Sequence, residues 1–211
     1  MRWVVFDLGG VVVRVASSWQ ECAVRAQISF HDRPELADPV IQFSALRDYQ
    51  AGRIELDGFL ANLGAFLGCP PADAAKAHGA MLVNEYEGLS DLAAQIRADG
   101  GMLSCLSNTN EPHVEVMLTD PRFATVGGFD KHLFSHLVRL EKPDPAIYHW
   151  ACETLEAGPS EIIFFDDSEP NIRAAQELGW AAYWIQPAVA PALQIRKALL
   201  QEGFALGGSK N

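Results

Sequence analysis

Four short polar groups in this 211-residue chain contain the residue types that transfer phosphoryl groups. They are Asp7, Ser107-Asn108, Lys142 and Asp166-Asp167. Carboxylate oxygens are ligands that Mg²⁺ prefers, and Mg²⁺ commonly takes substrate phosphate oxygens as further ligands. A carboxylate such as Asp7 can attack phosphorus, Ser107 can hold phosphoryl oxygens, and Lys142 can neutralise their charge. The set therefore predicts phosphoryl transfer with Mg²⁺ as cofactor, provided that the fold brings these groups together.

Most of these groups follow a short, continuous apolar run, which is typical of a strand buried on both faces of a parallel sheet. The runs are Trp3–Phe6, Met102–Leu106, Ile162–Phe165 and Ala181–Ile185, with a weaker candidate at Leu133–Leu137. Helical patterns alternate with them, at Asp91–Ala98, Pro145–Leu155, Pro170–Leu178 and Leu193–Leu200. This alternation predicts a doubly wound, Rossmann-like α/β sheet covered by helices on both faces. In such a sheet, ligands bind outside the carboxyl ends of the strands, where the polar groups lie.

The segment from 17 to 89 reads differently, because its patterns are helical and no strong strand is found there. Asp57 can cap a helix that carries Phe59 and Leu63 on its apolar stripe. Pro70-Pro71 ends that helix and begins another, which the pattern extends through Ala74 to Val83. The chain is therefore predicted to consist of an α/β core, residues 1–16 and 90–211, with a helical insertion, residues 17–89, after the first strand.

Charge and cysteine content exclude several classes of protein. The 16 basic and 27 acidic residues give a net charge of −11, whereas nucleic-acid binders and anionic membranes call for basic surfaces. The four cysteines form no CxxC pair, which favours reduced thiols in a cytoplasmic protein over a zinc or redox site. No apolar run approaches the ~18 residues of a membrane helix. We expect a cytoplasmic enzyme with a small phosphorylated substrate and no nucleic-acid or membrane partner.

Each polar group taken alone also has a structural explanation. A single aspartate after a strand is commonly a turn or cap residue, Asp166-Asp167 can cap the helix that begins at Pro170, and a lysine is usually exposed. The occurrence of all four groups in this order, on alternating strands and helices, is what distinguishes the catalytic interpretation from the structural one.

This order of motifs resembles the haloacid dehalogenase (HAD) superfamily over essentially the whole chain. The matching segments are Phe6–Val12, Leu106–Asn110, Glu141–Pro145 with Tyr148, and Phe164–Ser168 followed by Asn171. The resemblance implies that Asp7 is the nucleophile, that Ser107 and Asn108 bind the substrate phosphate, and that Lys142 acts in both catalysis and substrate binding.

The same resemblance implies a metal site and a cap. Mg²⁺ would be held by Asp7, the backbone carbonyl of Gly9 and Asp167, with Asp166 assisting. The helical insertion corresponds to the family's cap domain, and the chain is similar to the α-D-glucose-1-phosphate phosphatase subgroup. A Mg²⁺-dependent phosphatase acting through phospho-Asp7 on a small metabolite, such as a sugar phosphate, is the function that the resemblance implies.

One departure from the family pattern concerns the general acid. Most phosphatases of the superfamily carry a second aspartate two residues after the nucleophile, and this chain has Gly9 there. General acid–base help is worth about 10²–10⁴-fold in rate. Three alternatives follow: another residue supplies the proton, with His113, Tyr49 and His78 as candidates; the substrate has a good leaving group; or the protein binds phosphate with weak turnover. From its local sequence, His113 is expected to be a surface residue at the start of a helix.

A 2-haloacid dehalogenase is the alternative enzyme within the superfamily. Its aspartate attacks carbon without a metal, and its lysine motif is very similar to Lys142-Pro143-Asp144-Pro145. Such enzymes tend to have serines where this chain has Asp166-Asp167. Two adjacent carboxylates repel each other unless a cation lies between them, which favours Mg²⁺ and phosphate.

Overall fold

The computed structural model describes residues 2–207, and its largest element is a parallel sheet of five strands in the order β5-β4-β1-β6-β7. A two-stranded antiparallel sheet joins β2 to β3. The strands are β1 (Trp3–Phe6), β2 (Val13–Val15), β3 (Leu82–Glu85), β4 (Met102–Ser107), β5 (Lys131–Phe134), β6 (Ile162–Asp166) and β7 (Ala181–Trp184).

The α-helices alternate with the sheet strands after residue 89 and fill most of the segment before it. They are α1 (Trp19–Arg25), α2 (Ser44–Gln50), α3 (Leu56–Leu67), α4 (Pro71–Gly79), α5 (Leu89–Ala98), α6 (Glu111–Thr119), α7 (Ala124–Gly127), α8 (Ser135–Val138), α9 (Pro145–Leu155), α10 (Glu169–Glu177) and α11 (Pro191–Gln201). Within residues 2–207, none of these helices combines the length and apolar character that spanning a membrane requires.

Both faces of the parallel sheet are buried, as the continuous apolar runs predict. Along β1, Val4 and Phe6 pack on one face with residues of α5, α6 and α11, while Trp3 and Val5 pack on the other with residues of α9 and α10. Successive side chains of a strand point to opposite faces, so a central strand with a helical layer on each side must be apolar throughout. The predicted doubly wound α/β fold is confirmed.

The insertion has a hydrophobic core of its own. Trp19, Phe59 and Leu63 are fully buried and pack with other residues of α1–α4. One expectation for this segment is wrong, because it contains the strand β3 and α4 ends at Gly79 instead of continuing to Val83. After Gly79 the chain turns so that the N–H of Ala16 donates to the carbonyl of Met81 at 2.8 Å. This long-range pairing with the chain around β2, which no local pattern encodes, sets the end of the helix.

The prediction of a weaker strand at Leu133–Leu137 is confirmed only at its beginning. Strand β5 ends at Phe134, and α8 begins at Ser135. The Ser135 hydroxyl accepts a hydrogen bond from the N–H of Thr109 at 3.0 Å and donates to the carbonyl of Gln50 at 2.6 Å. These contacts connect the end of β5 to the loop after β4 and to helix α2 of the insertion.

Candidate active site

The carboxyl ends of the three central strands bring the predicted site residues to one edge of the sheet. Strand β1 lies between β4 and β6 and pairs in parallel with both. Asp7 directly follows β1, and its N–H extends the ladder by donating to the carbonyl of Phe165 at 2.7 Å. Ser107 is the last residue of β4, and Asp166 is the last residue of β6. Because these strands are parallel, all three side chains arise at the same edge.

Lys142, from the loop between α8 and α9, lies at the centre of this edge. Its Nζ atom is 3.0 Å from Asp7 Oδ1, 2.6 Å from Asp166 Oδ2 and 2.7 Å from the carbonyl oxygen of Leu106. These contacts use the three N–H donors of the ammonium group. Burial disfavours its charge, but the carboxylates of Asp166 and Asp7 outweigh that effect and raise the pKa of Lys142 above its usual range. The lysine is therefore a permanent cation against the predicted nucleophile.

Asp166 is fully buried and held by hydrogen bonds on both oxygens. Oδ1 accepts from the N–H of Ser168 at 2.8 Å and from Asn171 Nδ2 at 3.0 Å, while Oδ2 accepts from Lys142 and from the same amide at 3.0 Å. Tyr148 in turn donates its hydroxyl to the carbonyl of Asn171 at 2.9 Å. Residues of the segments around Lys142 and Asp166 thus form one network with Asp7. Asn171 was absent from the predicted site residues, although an amide in the first turn of the helix after an acidic pair is a usable signal.

The three carboxylates form a cluster suited to a second cation. One oxygen from each of Asp7, Asp166 and Asp167 lies within 4.8 Å of the others. Burial and the negative charges of Asp7 and Asp166 raise the pKa of Asp167 to about 7. Burial also raises the pKa of Asp7 to about 6, with the charge of Lys142 acting against the shift. One ammonium does not balance three carboxylates, and a set of hard oxygen donors fits Mg²⁺.

The double glycine after Asp7 shapes the turn beside this cluster. Gly10 has a φ of +76°, and a Cβ atom there would collide with the carboxylate of Asp167, so this position requires glycine on two grounds. Gly9 differs, because a Cβ atom at position 9 would meet only Val15 Cγ1, at an ordinary contact distance of 3.8 Å. Space therefore does not explain why an acidic side chain is missing at position 9.

The two residues predicted to bind phosphate have different environments. Ser107 is buried, and its hydroxyl makes no hydrogen bond to any residue between 2 and 207, which leaves it available for a ligand. The amide of Asn108 is occupied by the main chain of Lys142. Asn108 Nδ2 donates to the Lys142 carbonyl at 3.0 Å, and the Lys142 N–H donates to Asn108 Oδ1 at 2.9 Å. Direct contact of Asn108 with substrate stays a prediction, while its contact with the lysine loop is structural.

The three candidates for a general acid lie in the contact between the insertion and the core. The expectation that His113 is exposed is wrong: it is 4% exposed, and its ring stacks on that of His78 at 4.0 Å between centroids. Its Nε2 atom lies 3.0 Å from the carbonyl of His78 and must carry the proton, because a carbonyl can only accept. Burial lowers the pKa of His113 to about 4 and lowers that of His78 well below its usual value. Tyr49 stacks on Phe59 at 4.9 Å.

These environments argue against the three candidates as proton donors. Both imidazoles are neutral at pH 7, and no hydrogen bond links His113, His78 or Tyr49 to Asp7 anywhere in the described chain. The burial of His113 arises from α4 of the insertion covering α6, which is a tertiary contact that the local sequence at the helix start does not encode.

Comparisons with known proteins bear on the family of the chain. A family profile for haloacid dehalogenase-like hydrolases matches residues 1–179. A D-ribitol-5-phosphate phosphatase of Bacteroides thetaiotaomicron is 28% identical over 189 residues, covering 85% of this chain and 89% of that protein. A sesquiterpene phosphatase of Aspergillus oryzae is 24% identical over 205 residues, covering 92% of this chain and 94% of that protein.

Solved structures share the fold. A predicted HAD-like family hydrolase of Porphyromonas gingivalis superimposes with a TM-score of 0.75 at 24% identity, and the match covers 94% of this chain and 98% of that one. A HAD family enzyme of Bacteroides thetaiotaomicron, crystallised with magnesium and inorganic phosphate, gives a TM-score of 0.72 at 25% identity, covering 87% and 93%. These similarities agree with the family profile, whose match over residues 1–179 establishes that the chain belongs to the haloacid dehalogenase-like hydrolases.

Proposed function

We propose that the protein is a Mg²⁺-dependent phosphomonoester hydrolase that acts on a small phosphorylated metabolite through an aspartyl phosphate on Asp7. The observation that carries the proposal is the position of Asp7 at the end of β1, bonded to Lys142 on one side and clustered with Asp166 and Asp167 on the other. The phosphatases among its relatives support the reaction class.

In the proposed first step, a carboxylate oxygen of Asp7 attacks phosphorus, and the bond between phosphorus and the alcohol oxygen breaks. The leaving oxygen takes a proton from solvent and departs as the alcohol, and an acyl phosphate remains on Asp7. Water then attacks phosphorus and the bond between phosphorus and the Asp7 oxygen breaks, which releases hydrogen phosphate, passes one proton to solvent and restores the carboxylate. Lys142 neutralises the charge on Asp7 and on the transferring group, and the Ser107 hydroxyl holds a phosphoryl oxygen.

The residues available for Mg²⁺ are Asp7, Asp167 and the backbone carbonyl of Gly9. Asp166 has both oxygens filled by hydrogen bonds from Lys142, Ser168 and Asn171, so we assign it an assisting part, in which it places Lys142 and adds negative charge. When bound, the ion would supply positive charge to the phosphoryl oxygens and offset the repulsion among the carboxylates.

The absence of an acid at Gly9 bears on the substrate. A leaving group that needs little protonation, such as an anomeric sugar oxygen or an acyl group, suits a site without a proton donor. The similarity to α-D-glucose-1-phosphate phosphatases points to the first of these, and the relative that acts on D-ribitol 5-phosphate supports a phosphorylated sugar or sugar alcohol. We propose this class, in a cytoplasmic enzyme.

The proposal is tested by hydrolysis of p-nitrophenyl phosphate with and without Mg²⁺. The wild-type protein should require Mg²⁺ and lose activity in EDTA, and Asp7→Asn should abolish turnover, whereas the exposed control Asp91→Asn in α5 should retain it. Retained turnover in Asp7→Asn would remove Asp7 from its role. Binding of beryllofluoride without hydrolysis of any phosphate ester would indicate a binding protein, and release of chloride from 2-chloropropionate in EDTA would indicate a dehalogenase.

A further inference from the structure

A groove of about 640 Å³ lies beside the candidate site and has no part in the chemistry described above. Strands β2 and β3 and the residues that flank them form one wall, and the loop after β7 forms the other. The polar side chains in its lining are Arg14, Ser17, Glu21, Asn84, Glu85, Tyr86 and Glu87, of which Glu85 is already occupied by the N–H groups of Thr125 and Val126 at 2.8 and 3.1 Å. The loop contributes residues of the segment Pro187–Pro191.

The groove adjoins the turn that carries the nucleophile. Gly9 forms a β-bridge with Val13, the residue before Arg14, and the N–H of Tyr86 donates to the carbonyl of Val12 at 2.9 Å. The residues that line this wall are therefore attached directly to the loop that follows Asp7.

The opposite wall is connected to the acidic cluster. Trp184 ends β7, and its indole N–H donates to the carbonyl of Asp167 at 2.8 Å. Three residues later the chain enters the groove wall at Pro187. Burial raises the pKa of the Tyr86 hydroxyl, the charge of Asp167 adds to that effect and the charge of Arg14 opposes it. Tyr86 therefore lies close enough to interact electrostatically with both Asp167 of the acidic cluster and Arg14 of the groove.

Several polar groups of the groove have no hydrogen-bond partner among residues 2–207, although hydrogen bonds from Ser17 and, to a smaller extent, the charge of Arg14 lower the pKa of the nearby Glu21. The side chains of Arg14, Tyr86 and Glu87 make no hydrogen bond with any residue from 2 to 207. By contrast, the Glu21 carboxylate accepts from both the N–H and the hydroxyl of Ser17 at 2.9 Å. The groove thus offers a guanidinium that can only donate, a carboxylate that can only accept, and a phenol that can do either.

This set of groups narrows the chemistry of the ligand. A second anionic group on the ligand would suit Arg14 but would be repelled by Glu87, and an isoprenoid chain would leave all three polar groups without partners. A ligand with several hydroxyl groups can accept from Arg14 and donate to Glu87 at the same time.

We propose that this groove binds the alcohol portion of the substrate, and that this portion is a polyhydroxylated sugar or sugar alcohol recognised by Arg14, Tyr86 and Glu87. The inference rests on the proposed phosphatase function, since it assigns a place to the leaving group of that reaction. It adds the residues that select the substrate, which the acidic cluster and Lys142 do not provide.

The test compares kcat/KM for α-D-glucose 1-phosphate, whose anomeric oxygen needs little protonation, with kcat/KM for acetyl phosphate, whose leaving group is too small to fill the groove. The ratio of the two values should fall at least tenfold in Arg14→Gln and in Tyr86→Phe, because each loses a hydrogen bond to a substrate hydroxyl. The matched control Arg173→Gln, on the exposed side of α10, should keep the ratio within twofold of wild type. All four proteins should have melting temperatures close to one another, which separates recognition from folding.

The groove assignment is overturned if the ratio stays within twofold in both groove variants, or if wild type cleaves acetyl phosphate but no sugar or polyol phosphate. A preference for farnesyl phosphate over α-D-glucose 1-phosphate also overturns it. Hydrolysis of neither acetyl phosphate nor α-D-glucose 1-phosphate would instead refute the phosphatase function. In that case saturation-transfer NMR with free glucose decides: a signal in wild type that is lost in Arg14→Gln supports the groove, and an equal or absent signal refutes it.

Discussion

The ammonium of Lys142 lies 3.0 Å from Oδ1 of Asp7, in a position where the lysine is only 4% exposed. The same ammonium is 2.6 Å from Asp166. A buried cation between two carboxylates has a double consequence, because its charge opposes the protonation of Asp7, the proposed nucleophile, and stabilises the fold around it. Loss of one member of such a group leaves the others as uncompensated buried charges.

Replacing the lysine by a side chain of similar length without charge should therefore affect both stability and activity. We expect Lys142→Met to lower the free energy of unfolding by roughly 3–5 kcal/mol and to reduce turnover of an aryl phosphate at least 100-fold. The stability loss should be smaller at pH 5 than at pH 8, because protonation of Asp7, whose pKa is already raised to about 6, relieves the repulsion. Chemical denaturation at both pH values measures this, with the exposed Lys197→Met as control. An equal loss at both pH values would contradict the electrostatic explanation.

Gly9 offers a gain-of-function experiment, since an added side chain there has room and its nearest neighbour would be Val15. Gly9→Asp should place a carboxyl group two residues after the nucleophile. Because general acid catalysis helps poor leaving groups most, kcat for glycerol 3-phosphate should rise about 10-fold or more, and kcat for p-nitrophenyl phosphate should change much less. Gly9→Ala adds bulk without an acid and should show no such difference between substrates. Identical behaviour of the two variants would mean that protonation of the leaving group does not limit the rate.

Metal binding should depend on pH over the range set by the raised pKa values of two carboxyl groups, those of Asp7 and Asp167. In the metal-free fold the pKa of Asp7 is about 6 and that of Asp167 about 7, against 3.8 for a free aspartate. The folded state therefore binds more protons than the unfolded state between about pH 4 and 7, and the stability of the metal-free protein falls as pH rises through that range. Mg²⁺ binds the deprotonated carboxylates, so the rise in melting temperature on adding Mg²⁺ should be larger at pH 8 than at pH 5.5.

The matched variant for this experiment is Asp167→Asn, which keeps the shape of the side chain and removes one charge from the cluster. It should be more stable than wild type at pH 8 without metal and should gain little from Mg²⁺ at either pH. If Mg²⁺ raises the melting temperature of wild type equally at pH 5.5 and pH 8, these carboxylates are not the groups that bind it.

The sequence was sufficient to predict the parallel sheet and the proximity of the polar groups at its edge, for a definite physical reason. A strand buried on both faces needs a continuous apolar run, and the polar residue where that run stops must lie at the edge of the sheet. The positions of Asp7 and Asp166 can therefore be predicted from the local sequence. Lys142 follows no strand, and only the order of motifs indicated that it belongs with them. The structure places the ammonium of Lys142 within hydrogen-bond distance of both aspartates.

Tertiary contacts explain the features that could not be predicted from the sequence. His113 occupies a helix start that would be exposed in an isolated core, and it is buried because α4 of the insertion packs over it. Strand β3 has a single fully buried residue, Leu82, which is too weak a pattern to find without its partner β2. The amide of Asn108 could have faced a ligand or the protein, and its local sequence does not distinguish the two.

Asn108 gives the last prediction, because its two hydrogen bonds to the main chain of Lys142 make it a positioning residue for the lysine. Asn108→Ala should reduce kcat about tenfold through displacement of the ammonium, consistent with the loss of about 1 kcal/mol for each bond, whereas the exposed Asn62→Ala in α3 should have little effect. In a Lys142→Met background the same Asn108→Ala change should alter kcat less than twofold, since the group it positions is gone. If the two effects multiply instead, Asn108 acts on the substrate independently of Lys142, and the direct phosphate contact that the family resemblance implies would be the better account.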